Sequence, residues 1–334
     1  MAIVKFITFS DVHISDVNPS ARVGNYKKDI LDKLQQIGAA GRKLGVNFYL
    51  FAGDLFHIKA PIKNTHNLVI LLTETFKKYG APIYSTEGNH DIRGGYTTFD
   101  EQPLQVLYSG GILKQLRSEL INVNGIRFLL RSIPFYEKGD LSIPEIPIDH
   151  KEYDISACVL HIYASPKGGM LFKNKLMSYN DLAKTGDDIY VLGHYHIDQN
   201  IRVLCKEHPQ YFINLGAVSR GTTSEDNIKR DPKIGYVVVE KDDSGKITIK
   251  MQAIKLKVKP VEEVFDLEEK KSEQAKIEAT EEFAEKLQQD MNGVVTTTIS
   301  LDDEVNKLSA EKEIIDSVRY YLDQADLALK ELSQ

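Results

Sequence analysis

Five short stretches of the sequence carry side chains suited to chemistry, and each follows a strand-like apolar run. "SDVHIS" offers Asp11 and His13, "AGDLFH" offers Asp54 and His57, and "EGNHD" offers Asn89 and His90. His161 follows "ISACVL", and "GHYH", after "IYVL", offers His194 and His196. Singly, each has an ordinary reading: a turn acid, a hydrogen-bonded histidine, a surface His-x-His pair. Together they fail it, because six of the nine histidines fall in this ordered set and only His66, His150 and His208 are left as structural or surface residues. Carboxylate, amide and imidazole donors converging on one rim suit two adjacent divalent ions. One ion would take Asp11, His13 and His196, the other Asn89, His161 and His194, with Asp54 shared between them. Two ions about 3.5–4 Å apart form a clamp for phosphoryl chemistry and lower the pKa of water.

The elements that must position these residues can be read from hydrophobic pattern. "IVKFITFS" (Ile3 to Phe9), "VNFYLFAG" and "APIYSTEG" read as strands, with helical stretches at Tyr26 to Leu44 and in "THNLVILLTETFKKYG" between them, which suits βαβ units. In an open sheet, the loops at one set of strand ends line a common crevice. "LINVNGIRFLLRS" is a hairpin with Asn124-Gly125 at its turn, and "GYVVVEKDDSGKITIKMQAIKL" is another. "ISACVLH", "DIYVLGH" and "QYFINLG" add strands. The expected architecture is α/β, a two-layer mixed β-sheet sandwich flanked by helices. The texture changes after Lys259-Pro260, so residues 1–258 read as the catalytic domain and 259–334 as a small acidic α+β domain. Its last helix, 309–332, carries an apolar stripe that either packs on its own domain or docks a partner.

Composition sets bounds. The 334 residues, 42% hydrophobic and 27% charged, are ordinary for a globular protein with a large core. Two distant cysteines, Cys158 and Cys205, give no metal spacing and suit a reducing compartment; with no signal-like start and no bilayer-length apolar run, a cytoplasmic protein that leaves membranes alone is expected. Net charge is −6, but 34 Lys+Arg stand against 28 Asp+Glu in residues 1–260, while 8 stand against 20 beyond. The excess of acid therefore sits in the tail, and a phosphate-rich partner is compatible with the rest.

The ordered blocks "DVH", "GDLFH", "GNHD", His161 and "GHYH", spanning residues 11 to 196, resemble the calcineurin-like metallophosphoesterase superfamily. His57 stands where many members carry an acid, and "GDLFH" with "GNHD" is similar to the Mre-eleven/SbcD nucleases of DNA double-strand-break processing. "RSIPFYEKG" is similar to a segment of SbcD-like proteins. The resemblance implies the same two ligand sets and manganese as the working ion, although ligand type alone leaves zinc, iron and magnesium open. It implies that His90 is a catalytic histidine, and that His57 lies near the scissile phosphate, unless it merely orients a ligand. It implies a 3′–5′ exonuclease on duplex DNA and an endonuclease on single strands or hairpins, acting in DNA repair, recombination or replication. It also implies a capping role for the tail, an SbcC/Rad-fifty-like ATPase partner and a homodimer through helices near 64–79 or 100–109. The short chain suggests a compact bacterial or phage version with no room for both a full cap and a separate docking tail.

Basic residues near the last and first blocks, Arg220, Lys229, Arg230 and Arg22, with Asn18 and Ser20, are candidates for backbone phosphate contact. Two other function classes compete. A phosphatase or small phosphodiesterase acting on non-DNA substrates is disfavoured by the block ending in Asp91, where protein phosphatases usually carry Glu. A decayed scaffold is disfavoured because all seven expected ligands are present.

Overall fold

The computed structural model describes residues 1–266, apart from 21, 93–100, 136–151, 172–173 and 205–207. The acidic segment from residue 267 onward, with the proposed capping role and the 309–332 helix, lies outside the described residues. In chain order the first half holds β1 (Ala2–Phe9), α1 (Tyr26–Leu44), β2 (Phe48–Phe51), α2 (His66–Lys77), β3 (Ile83–Ser85), α3 (Pro103–Ser109), β4 (Lys114–Gln115), β5 (Ser118–Val123) and β6 (Ile126–Ile133). The second half holds β7 (Ile155–Ile162), β8 (Ala164–Ser165), β9 (Gly169–Leu171), β10 (Asn174–Ser178), α4 (Tyr179–Ala183), β11 (Ile189–His194), β12 (Asn200–Leu204), β13 (Gln210–Asn214), α5 (Glu225–Lys229), β14 (Lys233–Lys241) and β15 (Ile247–Lys255).

Two six-stranded mixed sheets dominate, ordered β15-β14-β1-β2-β3-β4 and β12-β13-β11-β7-β6-β5, with a small β8-β10-β9 sheet beside them. The strands that carry the chemical blocks run parallel within each sheet: β1, β2 and β3 in the first, β7 and β11 in the second. Parallel strands buried on both faces need continuous apolar runs, and β2, β7 and β11 are buried throughout. The inner faces share one cluster that includes Val4, Phe6, Phe48, Leu50, Phe128, Ile155 and Val191. The Phe6 and Phe48 rings, paired in register, stack at 4.8 Å, and Phe128 meets Phe48 edge-on at 5.6 Å. This layer locks the sheets together, so the loops at their parallel strand ends face one crevice.

Helices α1, α2 and α3 cover the outer face of the first sheet, and α4 packs on the second. In α1, Ile30, Leu34 and Ile37 recur at helical spacing and are buried. Asn25 accepts from the Lys28 amide at the start, and Gly45, at φ +65°, closes the end in the left-handed conformation. The Asn124-Gly125 turn joins β5 and β6 with both residues at positive φ, as its sequence demands. Phe265 bridges to Arg22, and Val264 and Phe265 are buried, so residues up to Asp266 pack with the first compact unit, Met1–Asp266. Among the described residues no helix is long and apolar enough to cross a membrane.

Candidate metal centre

The loops after β1 and β2 are zipped together by backbone hydrogen bonds. Asp11 N donates to Gly53 O, His13 N to Asp54 O, and Ile14 N to Leu55 O, at 2.9–3.0 Å. Asp11, His13, Asp54 and His194 all adopt positive φ, between 48° and 78°. Such strain in non-glycine residues persists only where the surroundings over-determine it, and it clusters at functional sites. Glycine is required at two of the approaches. A Cβ on Gly88 would strike the Asp54 carboxylate, and one on Gly193 would strike Ala52 O and crowd the His161 ring.

These turns bring the expected residues together. His13 Nε2 lies 3.0 Å from His196 Nε2, 3.4 Å from Asp54 Oδ2 and 4.0 Å from Asp11 Oδ1, and His196 Nε2 is 3.5 Å from Asp11 Oδ1. On the other side His161 Nε2 is 3.3 Å from the same Asp54 Oδ2 and 3.2 Å from Asn89 Oδ1. Asp11, His13, Asp54 and His196 thus form one donor group, and Asp54, His161 and His194 a second, with Asp54 common to both. A third group, His13 with His57 and His90, adjoins the first.

The donor chemistry fits divalent cations. Asp54 Oδ2 and His194 Nε2 are buried with no hydrogen-bond partner, a costly arrangement unless something binds there. His161 Nδ1 donates to Ala52 O at 2.7 Å, which fixes the tautomer and turns Nε2 toward Asp54. His194 is held by its backbone amide on the Asp11 carboxylate and by the Tyr163 ring at 3.8 Å and the Phe135 ring at 5.0 Å. Burial brings His13 and His194 down to about 3, keeping them neutral as ligands must be. Burial also opposes charge on His161, but the Asp54 carboxylate outweighs it and raises His161 to about 9. Burial raises Asp11, yet the hydrogen bond and charge of His196 prevail and bring it to about 2.

A proton consequence follows. His161 is an imidazolium at pH 7 in the metal-free protein and must lose its proton to ligate. Loading therefore releases a proton, and apparent metal affinity rises with pH until about 9. Calorimetry of metal binding in two buffers of different ionisation enthalpy measures that release; identical heats at pH 7 would contradict it.

Asp91 closes the third block, and its role is not evident from residue type. Its carboxylate accepts from four backbone amides: Asp54 at 2.8 Å, Leu55 at 2.9 Å, Phe56 at 3.1 Å and Gly88 at 3.0 Å. One buried acid thus sets both the β2 and β3 loops. Burial and the nearby Asp54 charge push it up to about 7 against the pull of those amides. Asp91→Asn leaves two of the four amides facing an NH2 group, and a loss of about 2–4 kcal/mol in unfolding free energy is expected. Urea denaturation checks this, and an unchanged midpoint would assign the carboxylate no structural weight.

His57 and His90 stand beside the first group, with their rings stacked at 5.8 Å and His90 also 4.7 Å from the His13 ring. His90 Nδ1 donates to His57 O at 2.6 Å, and its backbone amide donates to Asp54 Oδ1 at 2.8 Å.

The structure places most of the expected phosphate-contact residues in its interior. Arg22 and Arg220 are 7% and 3% exposed, and the Arg230 side chain 8%. Arg22 pairs with Asp29 at 2.6 Å, Arg220 donates to Asn227 O and Lys259 O, and Arg230 pairs with Asp226. Arg220 and Arg230 brace the β13–β14 connection, and Arg22 is held against α1 through Asp29. Asn18 is likewise structural, accepting from the Tyr26 amide and donating to Gly24 O. Lys229 is exposed and keeps its place as a candidate.

The family model for calcineurin-like phosphoesterases matches residues 4–198, which contain all five blocks. The chain belongs to the calcineurin-like phosphoesterase family. Within the family it is similar to the DNA double-strand break repair protein Mre11 of Saccharolobus solfataricus, at 26% identity over 201 residues, 55% of this chain and 49% of that protein. It is also similar to the uncharacterized metallophosphoesterase YhaO of Bacillus subtilis, at 24% identity over 254 residues, 70% of this chain and 56% of that protein. The chain thus spans about half the length of these curated relatives. Among solved structures, a putative 5′-nucleotidase from Staphylococcus aureus superposes with a TM-score of 0.52 at 15% identity, covering 76% of this chain and 54% of that one, which shows a shared fold. As a calcineurin-like phosphoesterase, the chain is a phosphoester hydrolase with His/Asp clusters able to hold a dinuclear metal site.

Proposed function

We propose that this phosphoesterase is a DNA nuclease, a manganese-dependent 3′–5′ exonuclease on duplex DNA and endonuclease on single strands, working with an ATPase partner in DNA repair, recombination or replication. The observation that carries the reading is Asp54 Oδ2, unpartnered and within 3.3–3.4 Å of histidines from both donor groups. A carboxylate so placed would be the shared ligand of two ions, which Asp11, His13 and His196 would hold on one side and Asn89, His161 and His194 on the other. When bound, the ions supply Lewis acidity and a lowered water pKa. Among the chain's own groups, His90 stands at the first donor group with Nε2 free of its bond to His57 O. It serves the developing charge or the departing sugar oxygen, and His57, stacked on it, steadies that ring. DNA as substrate draws support from the Mre11 relatives. Two copies pair through α2 or α3, which leave Ile70 and Val106 exposed.

The test is a substrate panel with Mn²⁺, Zn²⁺ and Mg²⁺: duplex DNA, single-stranded DNA, p-nitrophenyl phosphate and bis-p-nitrophenyl phosphate. Cleavage of DNA and of the diester, with little monoester turnover and highest rates in Mn²⁺, is expected. Brisk monoester turnover with DNA untouched would make the chain a phosphatase instead.

A further inference from the structure

Behind the Asp11 loop lies a second concentration of charge that the metal chemistry does not use. A cavity of about 220 Å³ is lined by the basic residues Arg22, Lys33, Arg220, Lys257 and Lys259 and by the acids Asp29 and Asp32. Five basic side chains face two acids, and the pairing is incomplete. Asp29 is shared by Arg22 at 2.6 Å and Lys259 at 2.8 Å. Lys33, only 5% exposed, donates to a single carbonyl, Val218 O, at 2.9 Å. Arg220, 3% exposed, reaches carbonyl oxygens alone. Arg22 Nε is buried with no partner, and so is Nη1 of neighbouring Arg230.

Burying cations without neutralising partners is expensive. The cost registers on Lys33, which burial and then the charges of Arg22, Arg220 and Arg230 drive well below the ordinary lysine range. A ligand with several anionic oxygens would relieve this by accepting from donors that converge from α1, from the segment after β13 and from the segment after β15. A single carboxylate would leave part of the charge unmet.

We propose that this cavity is a phosphate-binding site, separate from the two-ion centre, whose ligand is a phosphate group either free in solution or at the end of a nucleic-acid strand. The site is wired to the catalytic loop. Lys33 holds Val218 O, Val218 N donates to Ser10 O, and Ser219 N donates to Asp11 O at 3.1 Å. An anion that draws on Lys33 or Arg220 therefore pulls on the backbone that positions Asp11.

The experiment is calorimetric titration of the EDTA-stripped full chain with inorganic phosphate at constant ionic strength, so that no ion at the catalytic centre contributes. One saturable site is expected, retained in Asp54→Asn and weakened about tenfold or more in Lys257→Glu and in Lys33→Met. The Lys257 side chain is exposed, so its variant folds even if Lys33→Met does not. Absence of saturable uptake by the stripped parent, or an unchanged Lys257→Glu isotherm, overturns the proposal. Competition by a 5′-phosphorylated but not an unphosphorylated oligonucleotide would assign the site to strand ends, and competition by neither would assign it to free phosphate.

Discussion

Asp54→Asn should reduce phosphodiester hydrolysis by about three orders of magnitude or more and lower the bound metal below two ions per chain. The geometry concentrates this effect in one oxygen. Asp54 Oδ2 faces His13 Nε2 at 3.4 Å and His161 Nε2 at 3.3 Å, so the change removes a negative ligand from both groups at once. Oδ1 accepts the His90 amide, a bond that the asparagine oxygen can keep, so the loop should hold its shape. A second readout separates lost chemistry from lost folding. Asp54 is the leading influence raising His161 to about 9 against its burial. Without that carboxylate the imidazole should titrate at lower pH in the metal-free protein, which NMR of the ring protons reports. A variant that binds two ions with parental affinity, or in which His161 titrates as before, would remove Asp54 from its bridging place.

The metal groups were legible because their chemistry depends on residue type and order. Asp11, His13, Asp54, Asn89 and His196 follow strand ends, His161 and His194 sit in the last residues of β7 and β11, and parallel β1, β2, β3, β7 and β11 carry these ends to one rim. The α1 helix and both hairpins were legible for a similar reason, since Gly45 and Asn124-Gly125 encode their own backbone angles. Asp91 was harder. An acid accepting four amides looks, in one dimension, like one more turn residue, and only the return of the chain at Gly88 to the Asp54 loop reveals its use. The burial of the arginines was not legible either. Side-chain charge suggested solvent exposure, but Tyr26 and Phe265 lie under the Arg22 guanidinium at 5.2 and 5.1 Å and draw it inward. Burial of a cation depends on neighbours far away in sequence, here Lys259 and Phe265 beyond β15, which local pattern does not register. The two-residue strands β4 and β8 also went unseen, being too short for any periodicity.

His90→Asn should lower the turnover number on DNA by about a hundredfold to a thousandfold while both ions stay bound. Metal retention is expected because His90 reaches the centre through its backbone: the amide donates to Asp54 Oδ1, and substitution leaves that bond in place. What is lost is an imidazole whose Nδ1 is pinned to His57 O at 2.6 Å and whose ring lies 4.7 Å from that of His13. Two roles remain for such a ring, and they respond differently to the leaving group. If it protonates the departing sugar oxygen, bis-p-nitrophenyl phosphate, whose phenolate departs without a proton, should be hydrolysed at nearly the parental rate by the variant. If it stabilises charge on the phosphoryl oxygens, both substrates should slow alike. Stacked against it, His57 should show a smaller version of the same pattern, since its influence passes through the His90 ring. Parental turnover of both substrates by His90→Asn with two ions bound would leave the imidazole with no part in the reaction. The catalytic power would then reside in the ion pair and its seven ligands alone.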